Sequence, residues 1–406
     1  MSTWRDRFPH SFWDPARRRR WWLFFLLGAF SISGFCIGIG FYIKYLTDPP
    51  PVKAKTPGPA LPPTEPSIPS STPVGNYTFI VPFERAYDKS YGAFFVGFLV
   101  GSNIPTRIAT LLDTGSSDSW FNKSDGFTTR SKTFEKGSGT YSMSYMGGDV
   151  SGSLGSDMLQ LGNYSWKQNF GVVESWGSSI SYGLGGLVGL SRGGCNARKL
   201  CAIGEWELDE SVIAFYYDKL SWNGYFMGGY ISADTYCAPG NLLTYTQQTH
   251  SYYWQSNVSI FYNSVSLGTN IRAAFDTGST FIIMKKTLAD EVLRLSSLTG
   301  GCTLPNMTVV INGVSFPIPS NVLVDIGYSS SNCKLRMDSF TSSGYPFDVI
   351  LGATFLITVY SVFDLTNNRM GFCPSKDGLA TSRRLEDVDE RISELLDHPQ
   401  RNRRIP

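Results

Sequence analysis

The sequence predicts a mainly β protein built from two related halves and preceded by a helix that spans a membrane. Three observations predict this fold class. Short apolar or alternating runs of about four to eight residues, separated by Gly, Asn and Ser, fill residues 77–374 and are typical of β-strands. The tetrapeptide Asp-Thr-Gly-Ser occurs twice in that region, each time after an apolar run. An uncharged apolar stretch, residues 21–43, follows an arginine cluster near the amino terminus.

The apolar stretch 21–43 has the length of a transmembrane helix. As a helix it would measure about 35 Å, enough for the hydrocarbon core of a bilayer. The basic segment 1–20 should stay in the cytosol, because arginine-rich flanks do. The rest of the chain would then be lumenal or extracellular, in the secretory pathway, in a vacuole or at the cell surface. A cleaved signal peptide is the alternative, but its apolar core usually runs only about 7–15 residues.

Composition divides the remaining chain into four parts. Residues 44–76 are rich in Pro, Ser and Thr, which favours an extended stalk. We predict a first lobe over 77–245 and a second over 246–374. The charged tail 375–406 has apolar residues at helical spacing and is predicted to be a solvated helix, a partner-binding helix or disordered. Two further helices are predicted within the lobes, over 209–220 (DESVIAFYYDKL) and 285–297 (KKTLADEVLRLSS).

Charge and cysteine content narrow the class of protein. A net charge of +2 gives no support for nucleic-acid binding. Three histidines and the lack of a Cys-x-x-Cys pair argue against a zinc site, so we expect no metal. We also expect no cofactor and a monomer. Cys36 lies in the apolar stretch, and the other six cysteines suit an oxidising compartment. We expect two local bridges, Cys195–Cys201 and Cys302–Cys333, which by elimination leaves Cys237–Cys373. Five sequons beyond the apolar stretch predict glycosylation at Asn76, Asn122, Asn163, Asn257 and Asn306.

The repeated tetrapeptide marks a duplication. Asp113 and Asp276 are 163 residues apart, and so are the apolar-apolar-Gly triplets 187–189 and 350–352. In each half the triplet begins 74 residues after the aspartate. This shared spacing predicts two halves of the same design, each with an aspartate loop at the end of a strand.

Two such loops facing each other would bring two carboxyls within hydrogen-bonding distance. Like charges that close cannot both ionise cheaply, so the pair would hold one proton over a wide pH range. One carboxylate could then take a proton from a water molecule while the other carboxyl hydrogen-bonds the carbonyl under attack. A serine or cysteine triad is disfavoured, because His250 is the only histidine in the predicted lobes and no G-x-S-x-G motif occurs.

Four segments resemble the pepsin-like aspartic proteases, and the match covers about residues 77–374. They are DTGSSDSW, DTGST, the hairpin-like GTYSMSYMGGDVSGSLGSDMLQLG and the carboxyl-terminal VILGATFLITVYSVFDLTNNRMGFCP. The resemblance implies a bilobal fold with lobes related by a pseudo-two-fold axis. It also implies endopeptidase activity on polypeptides at acidic pH, here from a membrane tether, and a Cys302–Cys333 bridge in the second lobe.

The resemblance also implies roles for individual residues. Asp113 and Asp276 match the catalytic pair. The residues expected to support them are Thr114, Gly115, Ser116, Thr277, Gly278 and Ser279. The flap, a hairpin that closes over substrate, and its contacts match Tyr145, Gly147, Gly148 and Trp120. For Trp120 a place in the core is an alternative to a hydrogen bond with Tyr145.

Two features depart from the family pattern. The flap reads Tyr-Met-Gly-Gly-Asp at 145–149, where many relatives have Tyr-Gly-Thr-Gly or Tyr-Gly-Asp-Gly. This change bears on specificity and rate. A lysine-rich inhibitory pro-segment has no obvious counterpart, so either no such step is needed or the pro-segment serves as a spacer. A non-catalytic binding or adhesion ectodomain on the same fold is the alternative function.

Overall fold

The computed structural model describes residues 78–83, 94–177, 184–193, 200–218, 223–297, 304–326 and 333–376. These stretches all fall in one structural unit, Ile68–Pro406. The predicted cytosolic segment 1–20, transmembrane helix 21–43 and stalk 44–76 lie outside them, as does the tail beyond Lys376. No helix within the described stretches is long and apolar enough to cross a membrane.

The described part is mainly β. In chain order its strands are β1 (Phe79–Pro82), β2 (Phe95–Val100), β3 (Thr106–Asp113), β4 (Trp120–Asn122), β5 (Glu135–Tyr145), β6 (Gly148–Leu161), β7 (Tyr164–Trp176), β8 (Gly186–Gly189), β9 (Val212–Asp218), β10 (Asn223–Gly228), β11 (Thr244–Gln247), β12 (Gln255–Tyr262), β13 (Val265–Phe275), β14 (Ile282–Lys285), β15 (Met307–Ile311), β16 (Val314–Ile318), β17 (Val324–Ile326), β18 (Cys333–Leu335), β19 (Met337–Phe340), β20 (Val349–Leu351), β21 (Val359–Asp364) and β22 (Arg369–Pro374). Its helices are α1 (Phe127–Arg130), α2 (Ala233–Tyr236), α3 (Lys286–Ser297), α4 (Ser320–Leu323) and α5 (Ala353–Leu356), with a short 3-10 helix at Lys123–Asp125.

The two halves form sheets of the same design. The first has the strand order β2-β3-β8-β4-β7-β6-β5, and the second has β16-β15-β12-β13-β20-β14-β19. In the first, β3 pairs with β8 in parallel, and β4 then runs antiparallel to β8 and parallel to β7. The second repeats these three relations with β13, β20, β14 and β19. The predicted duplication and bilobal fold are therefore confirmed, whereas the lobe boundary at 245/246 stays a prediction.

A third sheet, which we call the shared sheet, takes strands from both halves in the order β1-β10-β9-β21-β22-β11. Its central contact pairs β9 of the first half with β21 of the second, with Ser361 opposite Phe215. All six residues of β21 are buried. Because the central strands of this sheet belong to different halves, neither half completes its own core alone.

One of the two predicted helices is wrong. Residues 212–218, within the segment 209–220, form strand β9 in the middle of the shared sheet, and its first six residues are all buried. A strand covered on both faces has a continuous apolar run, which periodicity cannot distinguish from a buried helix. The other prediction is confirmed by α3, which buries Ala289, Val292 and Leu295 at helical spacing.

A disulfide between Cys237 and Cys373 connects the end of α2 to β22, with 5.6 Å between the two Cα atoms. It closes a loop of 136 residues between the first half and the second. Cys201 is also disulfide-bonded, while Cys195, its predicted partner, lies outside the described residues. Cys302 lies outside them too, so the bridge Cys302–Cys333 stays a prediction.

Replacing Cys237 and Cys373 together by alanine should lower the free energy of unfolding by about 2–5 kcal/mol, because a disulfide that closes a long loop restricts the unfolded chain. Urea titration of the wild-type and double-variant proteins without reductant measures the difference. A shared midpoint for the two proteins would contradict this prediction.

Candidate active site

Asp113 and Asp276 lie at matching places in the two halves. Asp113 is the last residue of β3, and Asp276 directly follows β13. In each half the strand before the aspartate pairs in parallel with the strand of the apolar-apolar-Gly triplet, β8 or β20. Both aspartates therefore stand where a central strand leaves its sheet.

Each aspartate loop holds its own carboxyl with the same two donors. In the first loop the backbone N–H of Gly115 donates to Asp113 Oδ1 at 2.8 Å, and the Ser116 hydroxyl donates to Asp113 Oδ2. In the second loop the backbone N–H of Gly278 donates to Asp276 Oδ1 at 2.8 Å, and the Ser279 hydroxyl donates to Asp276 Oδ2 at 2.6 Å. Such hydrogen bonds stabilise the ionised form of a carboxyl.

Thr114 and Thr277 join the two loops by exchanging hydrogen bonds. The N–H of Thr114 donates to Thr277 Oγ1 at 3.0 Å, and the N–H of Thr277 donates to Thr114 Oγ1 at 3.0 Å. Each hydroxyl also donates to a backbone carbonyl of the other half. The Thr114 hydroxyl donates to the carbonyl of Phe275 at 2.8 Å, and the Thr277 hydroxyl donates to that of Leu112 at 2.7 Å. Both threonines are fully buried, so water cannot replace these bonds.

The two carboxyls are close enough to hydrogen-bond to each other. A Cβ atom added to Gly115 would lie 2.6 Å from Cγ of Asp276, and one added to Gly278 would lie 2.6 Å from Cγ of Asp113. Only glycine therefore fits at positions 115 and 278. Burial raises the pKa of Asp113 well above its ordinary value, and the nearby charge of Asp276 raises this pKa further, while the Ser116 hydrogen bond lowers it.

The predicted flap is the hairpin of β5 and β6. Tyr145 pairs with Gly148 at its end, and the Tyr145 hydroxyl accepts a hydrogen bond from Trp120 Nε1 at 2.9 Å. Trp120 is also 1% exposed, so both of its predicted environments are present in one residue. Gly148 has φ of +133°, a conformation that favours glycine, whereas a Cβ atom on Gly147 would meet nothing within 4 Å.

A cleft of about 480 Å³ lies between the aspartate loops and the flap. Its floor contains residue pairs separated by 163 positions, the spacing that relates the two aspartates. These further pairs are Leu111 and Ala274, Gly115 and Gly278, Ser116 and Ser279, and Leu187 and Ile350. The sequence had already marked three of these pairs, through the two loops and the apolar-apolar-Gly triplets, but not Leu111 and Ala274, which lie in β3 and β13.

Other lining residues were missed by the sequence reasoning. They include Phe95, Leu184, Tyr252, Tyr253, Thr280 and Phe347. Tyr252 belongs to the second half, and its hydroxyl lies 3.2 Å from the hydroxyl of Ser117 in the first half. No pattern in the sequence predicts this contact between Tyr252 and Ser117. Among the described residues that line the cleft, Asp113 and Asp276 alone are charged.

Metal ligands are not grouped in the described part of the chain: no set of three or more His, Cys, Asp or Glu side chains there could hold an ion.

The profile of the family described as eukaryotic aspartyl protease matches residues 94–375. The chain belongs to this family. This aspartyl protease is an aspartic endopeptidase, a hydrolase of peptide bonds. It is 29% identical over 313 residues to gastricsin from Mus musculus, a match that covers 67% of the chain and 78% of gastricsin. It is 27% identical over 313 residues to vacuolar protease A from Aspergillus fumigatus, a match that covers 67% of this chain and 76% of that protease.

The fold of this aspartyl protease is also similar to a solved structure. The crystal structure of the aspartic proteinase from Irpex lacteus superposes with a TM-score of 0.63 at 24% identity. The match covers 75% of this chain and 99% of that chain. The bilobal pepsin-like fold expected from the sequence is thus supported by an independent comparison.

Asp113→Asn should change how stability depends on pH. Because folding raises the pKa of Asp113, its contribution to stability is complete below the unfolded value of about 4 and is lost as pH rises through the folded value. The variant lacks this loss, so its free energy of unfolding relative to wild type should increase from pH 4 to 7. The increase should be about 1.4 kcal/mol for each unit by which the pKa is raised.

Urea titrations of both proteins at pH 4, 5, 6 and 7 measure this difference. Asp290→Asn serves as the control, because Asp290 is an exposed carboxyl on α3 that forms an ion pair with Lys286. For Asp290→Asn we expect the difference in free energy of unfolding from wild type to change little between pH 4 and 7. A difference between Asp113→Asn and wild type that stays constant with pH would refute the prediction.

Proposed function

We propose that Asp113 and Asp276 are the catalytic pair of this endopeptidase and that they activate one water molecule between them. The observation that carries the proposal is the contact between the two carboxyls on the floor of the cleft. Held this close, they carry one proton between them over a range of pH. The pair then contains a base and an acid at the same time.

In the proposed reaction the ionised carboxyl accepts a proton from the water as the water oxygen attacks the carbonyl carbon of the peptide bond. The protonated carboxyl donates a hydrogen bond to the carbonyl oxygen, where negative charge develops. The carboxyl that accepted the water proton then donates it to the peptide nitrogen, the C–N bond breaks, and the pair again holds one proton. No covalent intermediate with the enzyme forms, and no metal or cofactor takes part.

The support given by Ser116 and Ser279 suits this cycle. Each hydroxyl donates to one carboxyl, and so stabilises whichever carboxyl is ionised at that step. The activity should require acidic pH, because the pair loses its acid when both carboxyls ionise.

The shape and lining of the cleft support a polypeptide substrate. Apart from the two aspartates, the lining residues that the structure describes are uncharged, and many are apolar or aromatic. An extended peptide with apolar side chains beside the cleaved bond would bury those side chains there. Tyr145 and Gly147 of the flap also line the cleft, where we propose that they contact this peptide. The alternative of a non-catalytic binding ectodomain is disfavoured, because both loops retain their Asp and Gly.

We also propose that the enzyme is a monomer tethered to a membrane by residues 21–43, with the protease lumenal or extracellular. The length of this apolar stretch, the disulfide-bonded cysteines and the sequons support this location. Three sequon asparagines are exposed, at positions 163, 257 and 306. Asn122 is half-buried and its side chain accepts a hydrogen bond from the backbone N–H of Ser124, while Asn76 lies outside the described residues.

Asp276→Asn should reduce kcat by about 10²–10⁴-fold, because one member of the acid–base pair can no longer ionise. Digestion of a peptide library by the full-length protein at several pH values from 3 to 7 measures the loss. Asp290→Asn is the matched control and should keep wild-type activity. Wild-type protein should also be inhibited by a statine-type transition-state mimic. Near-normal activity of Asp276→Asn would rule out the proposed pair.

The membrane proposal predicts that the full-length chain stays in the membrane pellet after extraction at alkaline pH. Without residues 1–43, and with a secretion signal added, it should be soluble. Sequencing the amino terminus of the mature chain distinguishes the alternative: a new terminus within or just after residues 21–43, together with a soluble chain, would identify a cleaved signal peptide instead.

A further inference from the structure

Three hydrogen bonds connect the first aspartate loop to the second through Trp254. The backbone N–H of Leu190 donates to the carbonyl of Asp113 at 2.7 Å. The indole Nε1–H of Trp254 donates to the carbonyl of Leu190 at 2.8 Å. The carbonyl of Trp254 in turn accepts from the N–H of Phe275 at 2.8 Å, and Phe275 immediately precedes Asp276. The path therefore starts at one aspartate and ends beside the other.

The surroundings of Trp254 leave its indole little freedom. Trp254 and Leu190 have no exposed surface, and Phe275 is 1% exposed, so a lost hydrogen bond there leaves a buried group unpaired. The indole also packs edge-on against Phe363 of β21, with ring centroids 5.2 Å apart. Its position is thus fixed by the shared sheet and by both halves together. Trp254 does not line the cleft.

The Trp254 path differs from the threonine exchange in where it acts. Thr114 and Thr277 join the loops one residue beyond each aspartate, whereas the Trp254 path holds the strand ends that lead into the loops. The shared sheet and the Cys237–Cys373 disulfide also join the halves. Neither of them connects the strand ends that carry Asp113 and Asp276, so the Trp254 path restrains the separation of the two carboxyls directly.

We propose that Trp254 is a positioning residue for the catalytic pair, setting the separation of the two carboxyls through its bonds to Leu190 and Phe275. This inference rests on the proposed function of Asp113 and Asp276. It predicts an effect on the chemical step, since misplacing reacting groups by even about 1 Å is costly. The effect on substrate binding should be small, because Trp254 does not contact the cleft.

Trp254→Phe tests the proposal, because it keeps an aromatic ring but removes the Nε1–H donor to Leu190. We expect kcat to fall about 10- to 100-fold with KM changed less than threefold. The pH profile of kcat should also become narrower. When two carboxyls move apart, the lower pKa of the pair rises and the upper one falls, because they share the proton less tightly.

Trp166→Phe is the matched control. Trp166 is also buried, and its Nε1 donates to Gln168 Oε1 at 2.7 Å, but this bond lies within the first half. It should lower stability in the same way while leaving the width of the pH profile unchanged. Dividing the activity at each pH by the fraction of protein that is folded at that pH removes the effect of unfolding, so the normalised profile separates a positioning role from loss of folded enzyme.

A wild-type pH profile and a normal kcat per folded molecule for Trp254→Phe would overturn the inference. If that variant gives no folded protein, Phe363→Leu is measured instead, because loss of the ring that packs on the indole lets the indole shift and so weakens the hydrogen bond from its Nε1–H to Leu190. A narrower profile then supports the inference, and an unchanged one contradicts it. Activity retained by Asp276→Asn would instead refute the proposed function itself.

Discussion

The reciprocal hydrogen bonds between Thr114 and Thr277 are the interaction on which the rest of the site depends. Two ionised carboxyls 4 Å apart repel by about 4 kcal/mol at an effective dielectric constant of about 20. Against this, the four buried hydrogen bonds of the threonines contribute about 0.5–1.5 kcal/mol each. These totals are comparable, so the threonines hold a doubly ionised pair only marginally. A shared proton removes most of the repulsion, and assembly of the site is therefore coupled to its protonation.

The shared sheet explains why the site needs both halves of the chain. Each half supplies one aspartate loop, but the central strands of the shared sheet, β9 and β21, come from different halves. The disulfide between Cys237 and Cys373 adds a covalent connection between the same halves. The symmetry does not extend to the roof of the cleft, where the described lining residues include the tip of the β5–β6 hairpin of the first half. A nearly symmetric floor thus meets an asymmetric roof, as binding a directional peptide chain requires.

The sequence predicted the parts of the site that the duplication repeats, and it missed the parts that tertiary contacts create. The two aspartates, their threonines and their glycines were found because the same residues recur at a fixed spacing. Tyr252 was missed because it contacts Ser117, 135 residues away, with no equivalent contact to reveal it. Strand β9 was mistaken for a helix because burial on both faces erases the alternation that marks a strand. Trp120 was left between two environments because a sequence does not show that one side chain can occupy both.

The difference in free space between the floor and the roof of the cleft shows where substrate specificity can vary. A side chain at position 115 or 278 would collide with the opposite carboxyl, so the floor admits no change without loss of the pair. At the flap tip a Cβ atom on Gly147 meets nothing, and the neighbouring Met146 is 49% exposed while still lining the cleft. A flexible apolar side chain there adds contact area for apolar substrate groups without disturbing the carboxyls. We therefore propose that the departure of this flap from the family pattern acts on substrate choice, while the floor determines the chemistry.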